Sequence, residues 1–185
     1  LTLAATSTQT LTLDRVGGLT NAGLTVNIDG STLALGSSLT IDTLGETVAG
    51  TAGTLALNAN ALTVERGSFS GAITGTGSLT KVSSGEAGDT LLLSGASSYS
   101  GGTTVSGGTL ETNHASALGT GPVAVNTGTL DLDAALNIGS LSGLATGTIK
   151  LDGNTLTVTQ SVANAYAGDI TGEHVKRLLG ESAPP

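Results

Sequence analysis

Few residues of this chain have the type and spacing that chemistry requires. Ser78-Leu79-Thr80-Lys81 fits Ser-x-x-Lys, in which a lysine activates a serine nucleophile one helical turn away. That geometry needs a helix, and here the four residues lie in a stretch of strand-like alternation. Asp131 and Asp133 are two apart, so a strand points both carboxylates the same way, toward a weakly held cation or toward solvent. No third ligand is evident beside them, and a solvated outer face is the simpler reading. Glu86 and Asp89 fall in "SSGEAGDT" (83–90), which reads as a loop insertion with solvated charges. His114 and His174 are far apart in the chain, so no Ser/His/Asp set can be assembled around them. The sequence therefore assigns no catalytic, cofactor-binding or metal-ligating residue.

The elements that would carry such groups are short strands. Words of three residues recur in which apolar positions flank a small or polar one: "LTL" at 1–3 and 11–13, "LTV" at 24–26, "LAL" at 33–35 and 55–57, "LTV" at 62–64, "VAV" at 123–125, "LDL" at 130–132. Period-two alternation places Leu, Val and Ile on one face and Thr, Ala or Asp on the other. Gly, Asn, Asp and Ser separate the words, and these residues turn a chain at low cost. The 185 residues include 29 glycines but only 3 prolines, 2 tyrosines and 1 phenylalanine. That balance favours strands and tight turns over helix or collagen-like structure. The net charge of −8 offers no basic patch for nucleic acid. No apolar run is long enough to span a membrane as a helix, and zero cysteines rule out a disulfide framework. A start at Leu1 and the lack of Met imply a processed or excised chain.

Repetition separates a solenoid from a sandwich or barrel. "STLALGSSLTI" (31–41) aligns with "GTLDLDAALNI" (128–138), and "SFSGAITG" (68–75) with "AYAGDITG" (165–172), each at an offset of 97 residues. "AGTLALNANALTV" (52–64) aligns with "TGTIKLDGNTLTV" (146–158) at an offset of 94. Strands that keep their pattern while loops change length suit stacked coils. The expectation is an all-β, right-handed parallel β-helix over residues 1–172 with a repeat of about 97 residues, in coils of about 20 residues with Leu33, Leu35, Leu55, Leu57, Leu130 and Leu132 inward. All three aromatics stand two residues before a glycine, in Phe69-Ser70-Gly71, Tyr99-Ser100-Gly101 and Tyr166-Ala167-Gly168. They are expected to occupy equivalent corners, with Gly101 at positive φ.

Residues 75–125 carry a resemblance. Gly75 to Lys81 reads Gly-x-Gly-x-Leu-x-Lys, Leu91 to Gly95 is a Leu-rich strand ending in Ser-Gly, and Tyr99 to Val105, Gly107 to Leu110 and Ala117 to Gly121 follow in order. This resembles the passenger-associated strand repeat of bacterial autotransporters. With its duplicated flanks the likeness covers most of residues 24 to 172. The resemblance implies a parallel β-helix outside a Gram-negative cell, carried there by type V secretion. There is no strand series for an outer-membrane barrel, so this segment is not expected to insert in a membrane.

The reading is a non-enzymatic stalk or adhesin segment, without cofactor, whose partner would be an unidentified surface ligand on a host or neighbouring cell. Two alternatives belong to other classes: a β-helical carbohydrate-active enzyme domain, and a self-assembling filament subunit associating end to end. Ice binding through outward Thr, such as Thr40 and Thr63, is disfavoured because Ala34, Ala56 and Asp131 interrupt the file. In residues 173–185, Val175, Leu178 and Leu179 share one helical face. They suggest a short C-terminal capping helix, or else a tail of foreign origin.

Overall fold

The structure is a computed structural model. It describes residues 2–4, 10–13, 19–20, 23–160 apart from 49, 52 and 87, and 165–172. Every element among them is a strand, and every pairing is parallel. The strands stack as a β-solenoid, as the alternation implied, but with about seven turns rather than the roughly eight or nine expected from coils of about 20 residues. Each turn runs over three faces. Face one carries Leu39–Ile41, Leu62–Val64, Leu79–Lys81, Thr103–Val105 and Val123–Val125, each stacked on the one before. Face two follows in the same long strands, which bend without breaking; Ala61–Phe69, Thr103–Thr112, Pro122–Leu132 and Ser140–Lys150 each cross both faces. Face three holds the short strands Thr10–Leu13, Thr32–Leu35, Thr54–Ala56 and Ala72–Thr74, and later Leu136–Ile138 and Leu156–Val158.

Parallel register makes the core a set of columns. Val26 pairs with Leu44, and Leu91 with Leu110, then Leu130, then Ile149 along face two. Leu33, Leu35, Leu55, Leu57, Leu130 and Leu132 all point inward and are buried, as their alternation requires. Outward positions stack too: Thr40, Thr63, Thr80 and Thr104 form one file on face one before Ala124 and Ser142 succeed them. Ala34 and Ala56 belong to a different file, on face three.

Coil length varies from 17 residues (Leu62 to Leu79) to 25 (Leu3 to Ile28), and the difference is taken up in loops. The segments aligned at an offset of 97 sit on neighbouring faces. Leu33 stacks with Leu55 on face three, whereas Leu130 stacks with Leu110 and Ile149 on face two. Phe69 lies on face two against Leu93, whereas Tyr166 bridges to Gly143 on face one. All three faces use the same strand vocabulary, so a sequence alignment can be a third of a turn out of step with the stacking.

The aromatic words depart from the expectation in the same way. They occupy three different corners. Phe69 ends face two, Tyr99 precedes the turn from face three into face one, and Tyr166 precedes the turn from face one into face two. Nor does Gly101 have positive φ; its neighbour Gly102 does, at 93°. The need for glycine at 101 is steric instead: a Cβ there would run into the Gly77 carbonyl oxygen of the coil beneath, with the Thr76 oxygen at 2.6 Å. Gly71 and Gly95 repeat this at another corner, where a Cβ would strike the carbonyl oxygens of Gly53 and Gly71 respectively. Corners of stacked coils bring backbone onto backbone, and only glycine leaves room. The cap expected over residues 173–185 lies outside the described residues.

A stability series checks both the columns and the corners. Leu55→Ala and Leu130→Ala should each cost about 2–5 kcal/mol, and Thr63→Ala under about 1 kcal/mol. Gly101→Val should lower the urea midpoint well below that of Ser100→Val, because Ser100 is exposed. Equal damage from Ser100→Val and Gly101→Val would contradict the corner geometry.

Candidate functional site

The strand geometry takes the Ser-x-x-Lys residues apart. Ser78–Lys81 is a strand in which Ser78 and Thr80 face outward while Leu79 and Lys81 are buried. Residues three apart in a strand project to opposite sides, so the two side chains cannot meet. Lys81 instead occupies a core column of face one, paired with Val64 below and Val105 above. Its stem packs between them, and its ammonium donates to the carbonyl oxygens of Val82 and of Gly107, the latter at 3.3 Å. Burial pushes the Lys81 pKa down, partly offset by the negative charge of Asp89.

Asp89 is the second charged group inside this bend, and it corrects the expectation of a solvated loop. Its side chain is only 3% exposed. Ser83 Oγ and the Ser84 backbone N–H donate to its Oδ2, and Arg66 Nη1 stands 3.6 Å from its Oδ1. The hydrogen bond from Ser83 is the largest influence on Asp89 and holds its carboxyl below the usual range; burial opposes this and Arg66 assists. Glu86 is exposed, as expected of a loop tip, yet it also pairs with Arg66, at 3.2 Å.

Arg66 is the hub. Its guanidinium also meets Asp42 and Glu65, both at 3.1 Å. It thereby ties the coil below to the 83–89 loop above, at the bend between faces one and two. A guanidinium offers five donors in a fixed fork, which suits it to several carboxylates at once. A second loop is closed by the same device. Asp29, buried on face two, accepts from the Thr47 and Val48 backbone N–H groups at 2.8 and 3.4 Å and from the Thr47 hydroxyl. The Thr47 hydroxyl bond leads in keeping the Asp29 carboxyl below its usual pKa.

Asp131 and Asp133 lie in a row of acids on the outside of face two. Glu111 pairs in register with Asp131, and Asp131 with Lys150. Lys150 Nζ reaches Asp131 Oδ2 at 3.3 Å, while Asp131 Oδ1 is buried without a hydrogen-bond partner. Among the described residues no group of three or more His, Asp or Glu has metal-binding geometry. His114 is half-buried, and its Nδ1 accepts from the Ser116 backbone N–H at 3.1 Å, shaping the turn into face three. His174 lies outside the described residues.

Sequence reasoning missed the structural parts played by Lys81 and Arg66. The parity of Lys81 with Leu79 was a usable signal for burial. The partners of Arg66 come from separate coils of unequal length, and no spacing rule connects them.

The class defined by this geometry is a parallel β-solenoid whose loops are clamped by buried carboxylates. Within it, residues 88–111 match the family described as Passenger-associated-transport-repeat, which covers the strand Thr90–Leu93 and all but the last residue of Thr103–Thr112. The chain is also similar to the Adhesin BmaC autotransporter of Brucella suis biovar 1 (strain 1330), 38% identical over 113 residues, or 59% of this chain. Fold and repeat together liken this segment to the passenger domains of autotransporters. It spans about 3% of the length of that relative. No solved structure matches.

The Arg66 hub predicts a protease phenotype. Glutamate-specific cleavage after Glu86 should be slow in the native chain and several-fold faster in Arg66→Met, with the core still folded by circular dichroism. Unchanged cleavage would mean that the guanidinium does not hold the loop.

Proposed function

We propose that this segment is a non-enzymatic stalk or adhesin element, displayed by type V secretion on the surface of a Gram-negative cell. The observation that supports it most is the unbroken strand ladder. One sheet runs from Thr2–Ala4 to Asp169–Thr171, and each turn adds about 4.8 Å of rise. A rod built this way extends without a hinge. Its backbone is paired coil to coil, which resists proteases, and its inserted loops at 46–53 and 83–89 are presented at the bends. The relative named as an adhesin supports a role in attachment. The partner is then a surface ligand on a host or neighbouring cell. Contact between copies end to end, through the strand Asp169–Thr171 at the edge of the sheet, is a further interaction open to the rod.

Two measurements on the purified segment test this reading. Beads coated with it should adhere to target cells, or should do so once a binding module is fused to its end, and acidic and neutral polysaccharides incubated with it should show no new reducing ends. Heat-labile release of reducing ends would overturn the non-enzymatic reading.

A further inference from the structure

The sequence contains Asp-Gly twice, at Asp29-Gly30 and Asp152-Gly153, and Asn-Gly nowhere. In such a pair the glycine nitrogen can close on the aspartate side chain, because glycine has no Cβ to hinder the approach. The structure treats the two pairs in opposite ways. Asp29 is 7% exposed, and its carboxylate accepts from the Thr47 and Val48 N–H groups and from the hydroxyls of Thr47 and Thr51. The Gly30 N–H donates to the Thr51 carbonyl oxygen at 2.6 Å. Both reacting groups are held in place.

Asp152-Gly153 has none of these restraints. Both residues are exposed, and a Cβ placed on Gly153 would meet nothing within 4 Å. They form the centre of a tight turn closed by one hydrogen bond, from the Asn154 N–H to the Leu151 carbonyl oxygen at 2.6 Å. Both have positive φ, 43° at Asp152 and 83° at Gly153, so Asp152 sits in the left-handed region that side chains rarely adopt. Among the described residues no N–H or hydroxyl donates to the Asp152 carboxyl, and nothing accepts from the Gly153 N–H. The turn leads into Leu156–Val158, which among the described residues pairs on one side only, with Leu136–Ile138. Opening the turn therefore disturbs little of the stack.

We propose that Asp152-Gly153 is a modification site at which the rod acquires an isoaspartate without an enzyme, while the fold shields Asp29-Gly30 from the same reaction. The Gly153 nitrogen attacks Cγ of the Asp152 carboxyl group. The new C–N bond closes a five-membered succinimide, and the N–H proton leaves with the carboxyl's hydroxyl as water. A second water then adds to the ring at the main-chain carbonyl, breaks its bond to the Gly153 nitrogen and frees that carbonyl as a carboxylate. The chain now runs through the Asp152 β-carbon, one atom longer, with no net gain or loss of atoms. The extra atom lies in the turn that sets the register of Leu156–Val158 on Leu136–Ile138. That strand loosens, while the coils below keep their pairing.

Incubating the native chain for several weeks near neutral pH in water enriched in heavy oxygen tests the site, since each ring opening fixes one labelled oxygen in the peptide. Digestion and mass spectrometry should find several-fold more label in the Asp152 peptide than in the Asp29 peptide, with isoaspartate at 152. In urea, where the fold no longer distinguishes them, the two peptides should label alike. Unequal labelling in urea would assign the contrast to local sequence and overturn the shielding. No label at Asp152, or as much at Asp29 in the native chain, would overturn the proposal. Asp152→Asn gives a second reading, because Asn tolerates positive φ and keeps the turn. Ring closure there expels ammonia, so isoaspartate should form faster than in the native chain. An asparagine that persists in the folded variant would show that the turn forbids ring closure, and would contradict the site.

Discussion

Parallel, in-register stacking is the constraint on which the rest of this structure depends. Each residue sits on its counterpart in the coil below, so every choice along the chain becomes a choice about a column. Inward columns must be apolar or must find a way to satisfy a polar head. Corner columns must be free of Cβ, because there the backbone of one coil touches the backbone of the next. Outward columns must avoid like charges or accept the consequences. The glycines at 71, 95 and 101, the buried leucines and the acidic row on face two all follow from this rule.

The same rule explains how charge is used. A solenoid of uniform coils would have no loops, and insertions at 46–53 and 83–89 interrupt the stacking where they leave it. Each is closed at its base by a buried aspartate that accepts from backbone N–H groups and hydroxyls. Near the second insertion the compensation goes further, with Arg66 bridging carboxylates from neighbouring coils and Lys81 reaching carbonyls from inside the core. Buried charges of this kind stabilise little in net terms, since desolvation opposes the attraction. What they supply is position: the loop leaves the rod at one place and in one direction.

Much of the fold was legible in the sequence, because period-two alternation survives in words as short as Leu33-Ala34-Leu35, and parity alone assigns their burial. The resemblance in residues 75–125 was legible for the same reason, since its strands and glycines come in order. Stacking was less legible. Leu33 and Leu130 read alike because both are inward residues of a short strand, and nothing local says which face a strand belongs to. The need for glycine at 101 was legible but its cause was not, as Gly102 carries the positive φ while Gly101 carries the close approach. The candidate charged groups were legible least. Asp89 and Arg66 are brought together only by the lengths of the intervening coils, which sequence pattern leaves free.

Register is therefore the claim to test most directly, and the absence of native cysteine makes it simple. Thr63 and Thr80 are outward partners on adjacent rungs of face one, 17 residues apart in the chain. A doubly substituted Thr63→Cys, Thr80→Cys chain should form an intramolecular disulfide under mild oxidation, since adjacent strands hold Cα atoms within the roughly 4.4–6.8 Å that the bond requires. Thr63→Cys with Ala124→Cys, on the same file but three rungs apart, should not. Efficient closure of the second pair, or failure of the first in a folded chain, would contradict the stacking on which this account rests.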